Sequence, residues 1–187
     1  MFHIEEKADI AKIVILSGDP KRVEFQASSL INVKLVSDIR SAKYYTGFNE
    51  KGTKITIGTH GMGMPSASIY SHELFRNFDV DQIIRIGSCG SYDKNYTIGN
   101  ILELEETSIR RYDNNRNTIK VDPLNSGFPL VKNYCSNHIY EGNSGFEKPM
   151  SEVNVVSMES YAIKKAAIIY GKKASSLLVV SDELFGN

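Results

Sequence analysis

The sequence contains three short apolar runs, and each is followed by residues that can bind an anion or transfer a proton. The first run, residues 13–16, precedes Gly18 and Arg22. Backbone N–H groups at a turn and a nearby guanidinium together suit a phosphate oxyanion. A plain turn with a surface arginine is the alternative interpretation, and spacing alone does not exclude it.

Arg85 interrupts the second run, residues 83–86, which leads into a Gly-Ser-Cys-Gly segment at 87–90. A buried arginine is costly unless it is paired, although strand alternation would also allow it to point outward. Charge-assisted hydrogen bonds contribute about 1.5–3 kcal/mol each, so two arginines and a few turn donors could bind a phosphate dianion. The 87–90 segment supplies such donors through its amides and the Ser88 hydroxyl.

The third run, residues 174–180, ends in Ser181 and Asp182. A carboxyl group at the end of a buried strand is well placed for proton transfer at a cleft, and capping is its commoner alternative role. Glu159 follows another short apolar segment and has the same ambiguity. It is either a carboxylate at a helix N-terminus or a ligand for the hydroxyls of a polyol.

Other sequence patterns exclude several kinds of chemistry. The glycine-rich segment 61–66 lacks the third glycine of the dinucleotide fingerprint and the Lys-Ser/Thr of the Walker motif. The histidines show no metal-ligand spacing, and no serine lies in a Gly-x-Ser-x-Gly elbow. Cys89 is expected to be a buried thiol rather than a nucleophile. The histidines are His3, His60, His72 and His138.

Alternating strands and helices must position these residues. The patterns predict strands at 13–16, 82–86, 100–104, 153–156 and 174–180, and a hairpin of 44–48 with 54–59. They predict helices at 21–30, from Pro65 onward, around 128–134 and at 160–170. Gly171 is the predicted C-cap of the last helix. The rest of 107–152 is expected to form loops. We therefore predict an α/β three-layer domain with a mixed, largely parallel central sheet flanked by helices. Ligands in such sheets gather at the carboxyl ends of the strands.

Length and charge limit the class of protein. The chain has 187 residues, the size of one domain, and its 22 basic residues equal its 22 acidic ones. It therefore has no overall attraction for nucleic acid or an anionic membrane. The two cysteines form no disulfide framework, and no secretory or membrane-spanning segment is evident, so we expect a cytoplasmic protein.

Five motifs, taken in order, resemble the nucleoside phosphorylase superfamily and most closely its bacterial hexameric purine nucleoside phosphorylases. They are Gly18-Asp19-Pro20-x-Arg22, Gly61-Met62-Gly63-Met64-Pro65-Ser66, Arg85-x-Gly87-Ser88-Cys89-Gly90, Met158-Glu159 and Ser181-Asp182. The resemblance runs from His3 to about Leu104 and resumes from Val155 to Asp182.

The resemblance implies phosphorolysis of the N-glycosidic bond of purine (deoxy)ribonucleosides, which yields the free purine and (deoxy)ribose 1-phosphate. Inorganic phosphate would be the co-substrate, with no metal or organic cofactor. Asp182 matches the acid that protonates the leaving purine. The family's phosphate positions fall on Gly18, Arg22, Arg40, Arg85 and Ser88. Its nucleoside positions fall on His3, Met62, Cys89, Gly90, Val156, Ser157, Met158, Glu159 and Ser181.

The resemblance also implies an oligomer, because His3 and Arg40 match residues that a neighbouring subunit lends to the site. We expect a homodimer at least, and a hexamer built as a trimer of dimers. The chain is expected to be a single domain, 1–187, that is shortened in the middle and at the C-terminus relative to the family. Ser157 replaces a usual glutamate, and Phe146 is the candidate for the aromatic residue that covers the base.

Two alternative functions remain from the sequence. One is uridine phosphorylase activity on the same fold, which Ser181-Asp182 disfavours because a pyrimidine has no N7 to protonate. The other is a non-catalytic relative that binds nucleoside or phosphate without turnover. Hydrolysis is less favoured, because water-using relatives do not need Gly18-Asp19-Pro20-x-Arg22.

Overall fold

The computed structural model describes residues 2–110, 116–137 and 152–185. Three helices, α1 (Pro20–Ala27), α2 (Gly63–Asn77) and α3 (Ser160–Tyr170), lie within these ranges. The strands are β1 (Ile13–Ser17), β2 (Ile31–Ile39), β3 (Ala42–Phe48), β4 (Lys54–Thr59), β5 (Gln82–Ser91), β6 (Ile101–Arg110), β7 (Arg116–Lys120), β8 (Leu130–Cys135), β9 (Val155–Ser157) and β10 (Lys173–Glu183).

All of these strands belong to one sheet of mixed orientation. At its centre, β4, β1, β5 and β10 lie side by side and parallel. The hairpin of β3 with β4 extends the sheet on one side, and β2 pairs with β3 at its edge. On the other side, β5, β10, β6, β8 and β9 pair in a closed ring. The carboxyl ends of the four central strands therefore meet at one edge, as the sequence predicted.

Two apolar clusters fill the interior. One lies between the central strands and the helices α2 and α3, which pack against each other, and it includes Leu74 and Ile163. The other fills the five-strand ring, where each strand contributes at least one buried side chain. Its members include Cys89, Leu102, Val131, Val155 and Leu178. Strand β5 contributes Ile83 to the first cluster and Cys89 to the second, so both clusters hold it in place.

The helix ends have local causes. Asp19 caps α1 by accepting a hydrogen bond from the backbone N–H of Lys21 at 2.9 Å, and Pro20 occupies the first turn. Helix α3 ends at Gly171, whose φ of 64° lies in the left-handed region. No helix among the described residues is long and apolar enough to cross a membrane.

One predicted element is wrong. Residues 128–134 were expected to include a short helix, but Leu130–Cys135 is strand β8. Within the strand, Val131, Asn133 and Cys135 are buried while Leu130, Lys132 and Tyr134 are not, which is the period of two of a strand. The apolar segment is only a few residues long, and so short a segment does not distinguish the period of a helix from that of a strand.

Other strands extend beyond the prediction or were not predicted at all. Strand β5 continues through its glycines to Ser91, whereas the sequence suggested that it ends before them. Strand β2 was not predicted, because most of its residues are exposed and no alternation marks a buried face. Strand β7 lies in the segment that was expected to form loops.

Candidate functional site

Several of the predicted site residues lie at or near the carboxyl ends of the central parallel strands, together with His60, which the sequence analysis did not select. Gly18 follows β1, and His60 follows β4. Strand β5 carries Arg85 in its middle, and β10 carries Asp182 near its end. Because β10 is parallel to β5, Asp182 lies opposite Gly90 in the register. The sheet therefore brings the four segments to one edge.

Arg85 and Glu159 form an ion pair inside the protein. Arg85 Nη2 donates to Glu159 Oε2 at 2.5 Å, and the two side chains are only 4% and 8% exposed. Arg85 Nη1 also donates to Ser160 Oγ at 3.3 Å. The sequence left open whether Arg85 points outward, and the structure places its side chain in the interior.

Gly87 makes room for this arginine. A Cβ atom at Gly87 would lie 2.5 Å from Arg85 Cζ, a separation at which the guanidinium would have to move. The glycine two residues after Arg85 therefore permits the guanidinium to lie along the strand backbone. The ion pair depends on this close approach.

Glu159 is held by two donors from different parts of the chain. Its Oε1 accepts from the backbone N–H of Gly63 at 2.9 Å, while Oε2 is bound to Arg85. Burial raises the pKa of this carboxyl, but the positive charge of Arg85 and the Gly63 hydrogen bond outweigh burial, and the net pKa is lowered. Glu159 is therefore an anion, fixed at the start of α3.

The turn after β1 presents Gly18 next to the segment after β4. A Cβ at Gly18 would lie 3.0 Å from the carbonyl oxygen of Gly61, so only glycine fits there without a shift. Arg22 lies on α1 and is exposed. The Gly18 turn and the exposed guanidinium of Arg22 are thus only a few residues apart in the chain.

His60 joins this region, and the sequence analysis did not assign it a role. It is fully buried, and neither ring nitrogen has a hydrogen-bond partner of good geometry among the described residues, although the nearby backbone of Gly61 and of His60 itself slightly raises its pKa. Burial, and then the charge of Arg85, lower the pKa of His60 to about 4. The only sequence signal was its position between a β-strand and the glycine-rich segment 61–66.

Asp182 lies on the exposed last part of β10. Its Oδ2 accepts from the hydroxyl of Ser181 at 2.6 Å, and the same hydroxyl lies 3.2 Å from the Cys89 carbonyl oxygen. Burial raises the pKa of the Cys89 thiol to about 12, so Cys89 is a neutral buried thiol as expected. A Cβ at Gly90 would lie 2.6 Å from Leu184, so this glycine also allows a close approach.

The remaining nucleoside positions lie around Glu159 or at the start of α2. Ser157 is buried, and its Oγ is 3.2 Å from that of Ser160. Val156 pairs with Gly90 across the sheet, and Met158 is half-buried. Met62 is 78% exposed at the N-cap of α2, and Ser88 is exposed on β5. Met62 and Ser88 are thus accessible to a ligand from solvent.

The two residues expected to serve a neighbouring subunit both lie near Tyr70. The backbone N–H and Nδ1 of His3 both bond to Glu73 Oε1 of the same chain, at 2.9 and 2.7 Å. Arg40 is exposed in the tight turn between β2 and β3, where its φ is 57°. Phe146, the candidate for covering the base, lies outside the described residues, as does His138.

Within the described residues, no group of three or more histidine, cysteine, aspartate or glutamate side chains is arranged to hold a metal ion. The donors at this edge are instead arginines, backbone amides and hydroxyls. They are suited to an oxyanion, and Glu159 adds an acceptor suited to hydroxyl groups.

Comparison with known proteins supplies the family context. The family model described as the phosphorylase superfamily matches residues 12–136. The chain is 34% identical to a purine nucleoside phosphorylase DeoD-type from Bacillus subtilis, over 96% of this chain and 85% of the relative. It is 32% identical to the protein of the same name from Mycoplasma genitalium, over 96% of this chain and 84% of the relative. It is 31% identical to a third relative of that name, from Oceanobacillus iheyensis, over 97% of this chain and 87% of the relative.

Proposed function

We propose that this chain, which belongs to the phosphorylase superfamily, cleaves the N-glycosidic bond of purine (deoxy)ribonucleosides with inorganic phosphate. The names of its relatives support purine nucleosides as the substrate class. The observation that carries the proposal is the buried Arg85–Glu159 pair, which lies at the edge where the Gly18 turn and Asp182 also lie. This edge offers an anion site, an acceptor for sugar hydroxyls and a carboxyl group.

Phosphate would bind between the turn after β1 and strand β5. Gly18 would offer its backbone amide, Arg22 and Arg85 their guanidinium groups, and Ser88 its hydroxyl. Arg85 Nε is buried and has no partner among residues 2–110, 116–137 and 152–185, so one donor of this arginine remains for a ligand while Nη2 holds Glu159. Two positive charges near one turn suit a dianion.

The sugar would bind over Glu159 and Met158. Glu159 is ionised and fixed by Gly63 and Arg85, so its remaining lone pairs can accept hydrogen bonds from the sugar hydroxyls. The contact between Arg85 and Glu159 would also set the distance between the phosphate and the sugar. Such positioning of two reactants lowers the entropic barrier of their reaction.

In the reaction, a phosphate oxygen forms a bond to the anomeric carbon as the bond from that carbon to the purine nitrogen breaks. Positive charge that develops on the sugar ring is stabilised by the phosphate dianion. The electron pair of the broken bond goes to the purine, which takes a proton at N7 from Asp182. The other nucleoside positions, which would surround the base and sugar, are Met62, Cys89, Gly90, Val156, Ser157 and Ser181.

The oligomeric state is part of this proposal. Arg40 and His3 would complete the phosphate and sugar sites of a neighbouring subunit, so the active form would be a dimer at least and a hexamer by resemblance. Arg40 is exposed at a hairpin turn, which leaves its guanidinium accessible to another subunit.

Release of hypoxanthine from inosine tests the proposed reaction. We expect release only when phosphate is present, with ribose 1-phosphate formed in equal amount. Asp182→Asn should lower kcat by about 10²–10⁴, the usual contribution of general acid catalysis. Glu183→Gln is the matched control, because Glu183 is the next residue on the same strand and its side chain accepts a hydrogen bond from the backbone N–H of Ile98. Release that persists without phosphate would refute phosphorolysis.

A further inference from the structure

His60 lies where the proposed phosphate and sugar sites meet. A Cβ at Gly18 would be 3.5 Å from His60 Cε1, which puts the imidazole against the turn after β1. Its ring also senses the charges of Arg85 and Glu159, which act on its pKa in opposite directions. The backbone fixes this position, because the N–H of His60 donates to the Ser17 carbonyl and its own carbonyl accepts from Ser66 Oγ.

The polar atoms of this region lack partners to an unusual degree. Six buried side-chain nitrogen and oxygen atoms have no hydrogen-bond partner among the described residues. Three of them, both ring nitrogens of His60 and Arg85 Nε, belong to these two neighbouring side chains. Buried polar groups are nearly always hydrogen-bonded, and each exception calls for an explanation. A cluster of exceptions at one place points to partners that arrive with a ligand.

The environment also decides which form of the imidazole is present. A second cation next to Arg85 would be costly in the interior, so His60 is neutral at physiological pH. A neutral imidazole has one N–H donor and one acceptor nitrogen. The donor suits an oxygen of an anion, and the acceptor suits a hydroxyl or N–H group of a ligand.

We propose that His60 is a further phosphate-binding residue, whose ring N–H donates a hydrogen bond to an oxygen of the bound phosphate. The inference rests on the proposed function, since it assigns one more ligand to the same anion site. It goes beyond the motif residues, because the five motifs do not assign His60 a role.

Calorimetric titration with inorganic phosphate tests this assignment on the whole protein. We compare the unmodified chain with His60→Phe, which keeps a ring but removes both nitrogens, and His60→Gln, which keeps an N–H donor. His72→Phe is the matched control, because that histidine bonds to Tyr170 between α2 and α3. We expect His60→Phe to weaken phosphate binding about tenfold or more, the loss of one hydrogen bond to a charged group. His60→Gln should stay within about threefold of the unmodified chain, and His72→Phe should match it.

The nucleoside affinity separates a ligand role from a structural one. His60→Phe should leave inosine binding, measured without phosphate, nearly unchanged. Equal loss of phosphate and inosine affinity, or unchanged phosphate affinity, would overturn the assignment. If the unmodified chain binds no phosphate, the proposed function itself fails, which distinguishes the two failures.

Nuclear magnetic resonance of the unmodified chain, labelled with ¹⁵N in its histidine rings, avoids dependence on the folding of variants. The chain has only four histidines, and the His60 signals are those that disappear in His60→Gln. Phosphate should move the His60 ring nitrogens, and inosine alone should move them much less. Signals that do not respond to saturating phosphate would overturn the proposal.

Discussion

Arg85 and Glu159 neutralise each other in the interior, so removing either charge leaves the other buried without compensation. The free energy of unfolding should therefore fall by about 3 kcal/mol in Glu159→Gln, as measured by urea denaturation. Glu24→Gln is the control, because Glu24 pairs with Lys43 at the surface, where ion pairs contribute little. Equal stability of the two variants would show that the buried pair does not support the fold.

His60 makes stability depend on pH. Its pKa is about 4 in the folded protein and 6.5 ordinarily, so the unfolded chain binds more protons between these values. The free energy of unfolding should not depend on the protonation of His60 above pH 6.5, and it should fall by about 3 kcal/mol as the pH drops to 4. The lowered pKa of Glu159 acts in the same direction, but only below the ordinary range for glutamate.

Urea denaturation at a series of pH values measures this effect. His60→Phe should flatten the dependence between pH 6.5 and 4, while His72→Phe should keep it. An equally steep dependence in His60→Phe would contradict a buried, neutral His60.

At the scale of residues, the sequence predicted that Arg85 and Asp182 lie on strands that lead to one edge, but not that Arg85 pairs with Glu159. Motif order identified Arg85, Glu159 and Asp182, and strand ends predicted the edge where they lie. The ion pair of Arg85 with Glu159 joins residues 74 positions apart, and no local pattern specifies such a contact. Sequence patterns did not identify His60 as a site residue for a related reason, because its burial depends on the packing of several strand ends.

At the scale of elements, strand β5 can hold Arg85 only because Gly87 lacks a side chain. Gly87→Ala should push the guanidinium away from Glu159, since the new Cβ would lie 2.5 Å from Arg85 Cζ. We expect phosphate affinity, measured by calorimetry, to fall about tenfold.

Gly171→Ala is a control at another element end. Its φ of 64° disfavours alanine by about 1 kcal/mol, but a Cβ there meets no atom within 4 Å. It should lower stability and leave phosphate affinity unchanged. Phosphate affinity that falls equally in both variants would mean that Gly87 acts only through stability.

The elements that sequence patterns predicted well are those whose residues are mostly buried or half-buried. β1, the hairpin of β3 with β4, and α3 with Gly171 at its end all have this property. Strand β2 lies at the sheet edge and is exposed along most of its length, so its sequence carries no alternation. Strand β8 was mistaken for a helix because six residues give a weak period, and its burial depends on the ring that it completes.

At the scale of the whole molecule, the proposal requires subunits to share their sites. Arg40→Ala and Asp182→Asn should each inactivate a homo-oligomer, because each removes one component of every site. Oligomers reassembled from a mixture of the two variants should regain part of the activity. Some sites would then combine an intact Asp182 with an intact Arg40 from the neighbour.

Analytical ultracentrifugation provides the matching physical measurement. We expect a sedimenting species of at least two subunits for the unmodified chain and for both variants. A fully active monomer, or no recovery on mixing, would contradict shared sites.

A crystal structure with sulfate, as a stand-in for phosphate, and inosine bound together tests the convergence of the strand ends most directly. We predict sulfate oxygens within about 3 Å of the Gly18 amide and of the guanidinium groups of Arg22 and Arg85, with the sugar hydroxyls on Glu159. The purine should lie within reach of the Asp182 carboxyl. Sulfate bound away from this edge, with Arg22 and Arg85 directed at different ligands, would contradict the account.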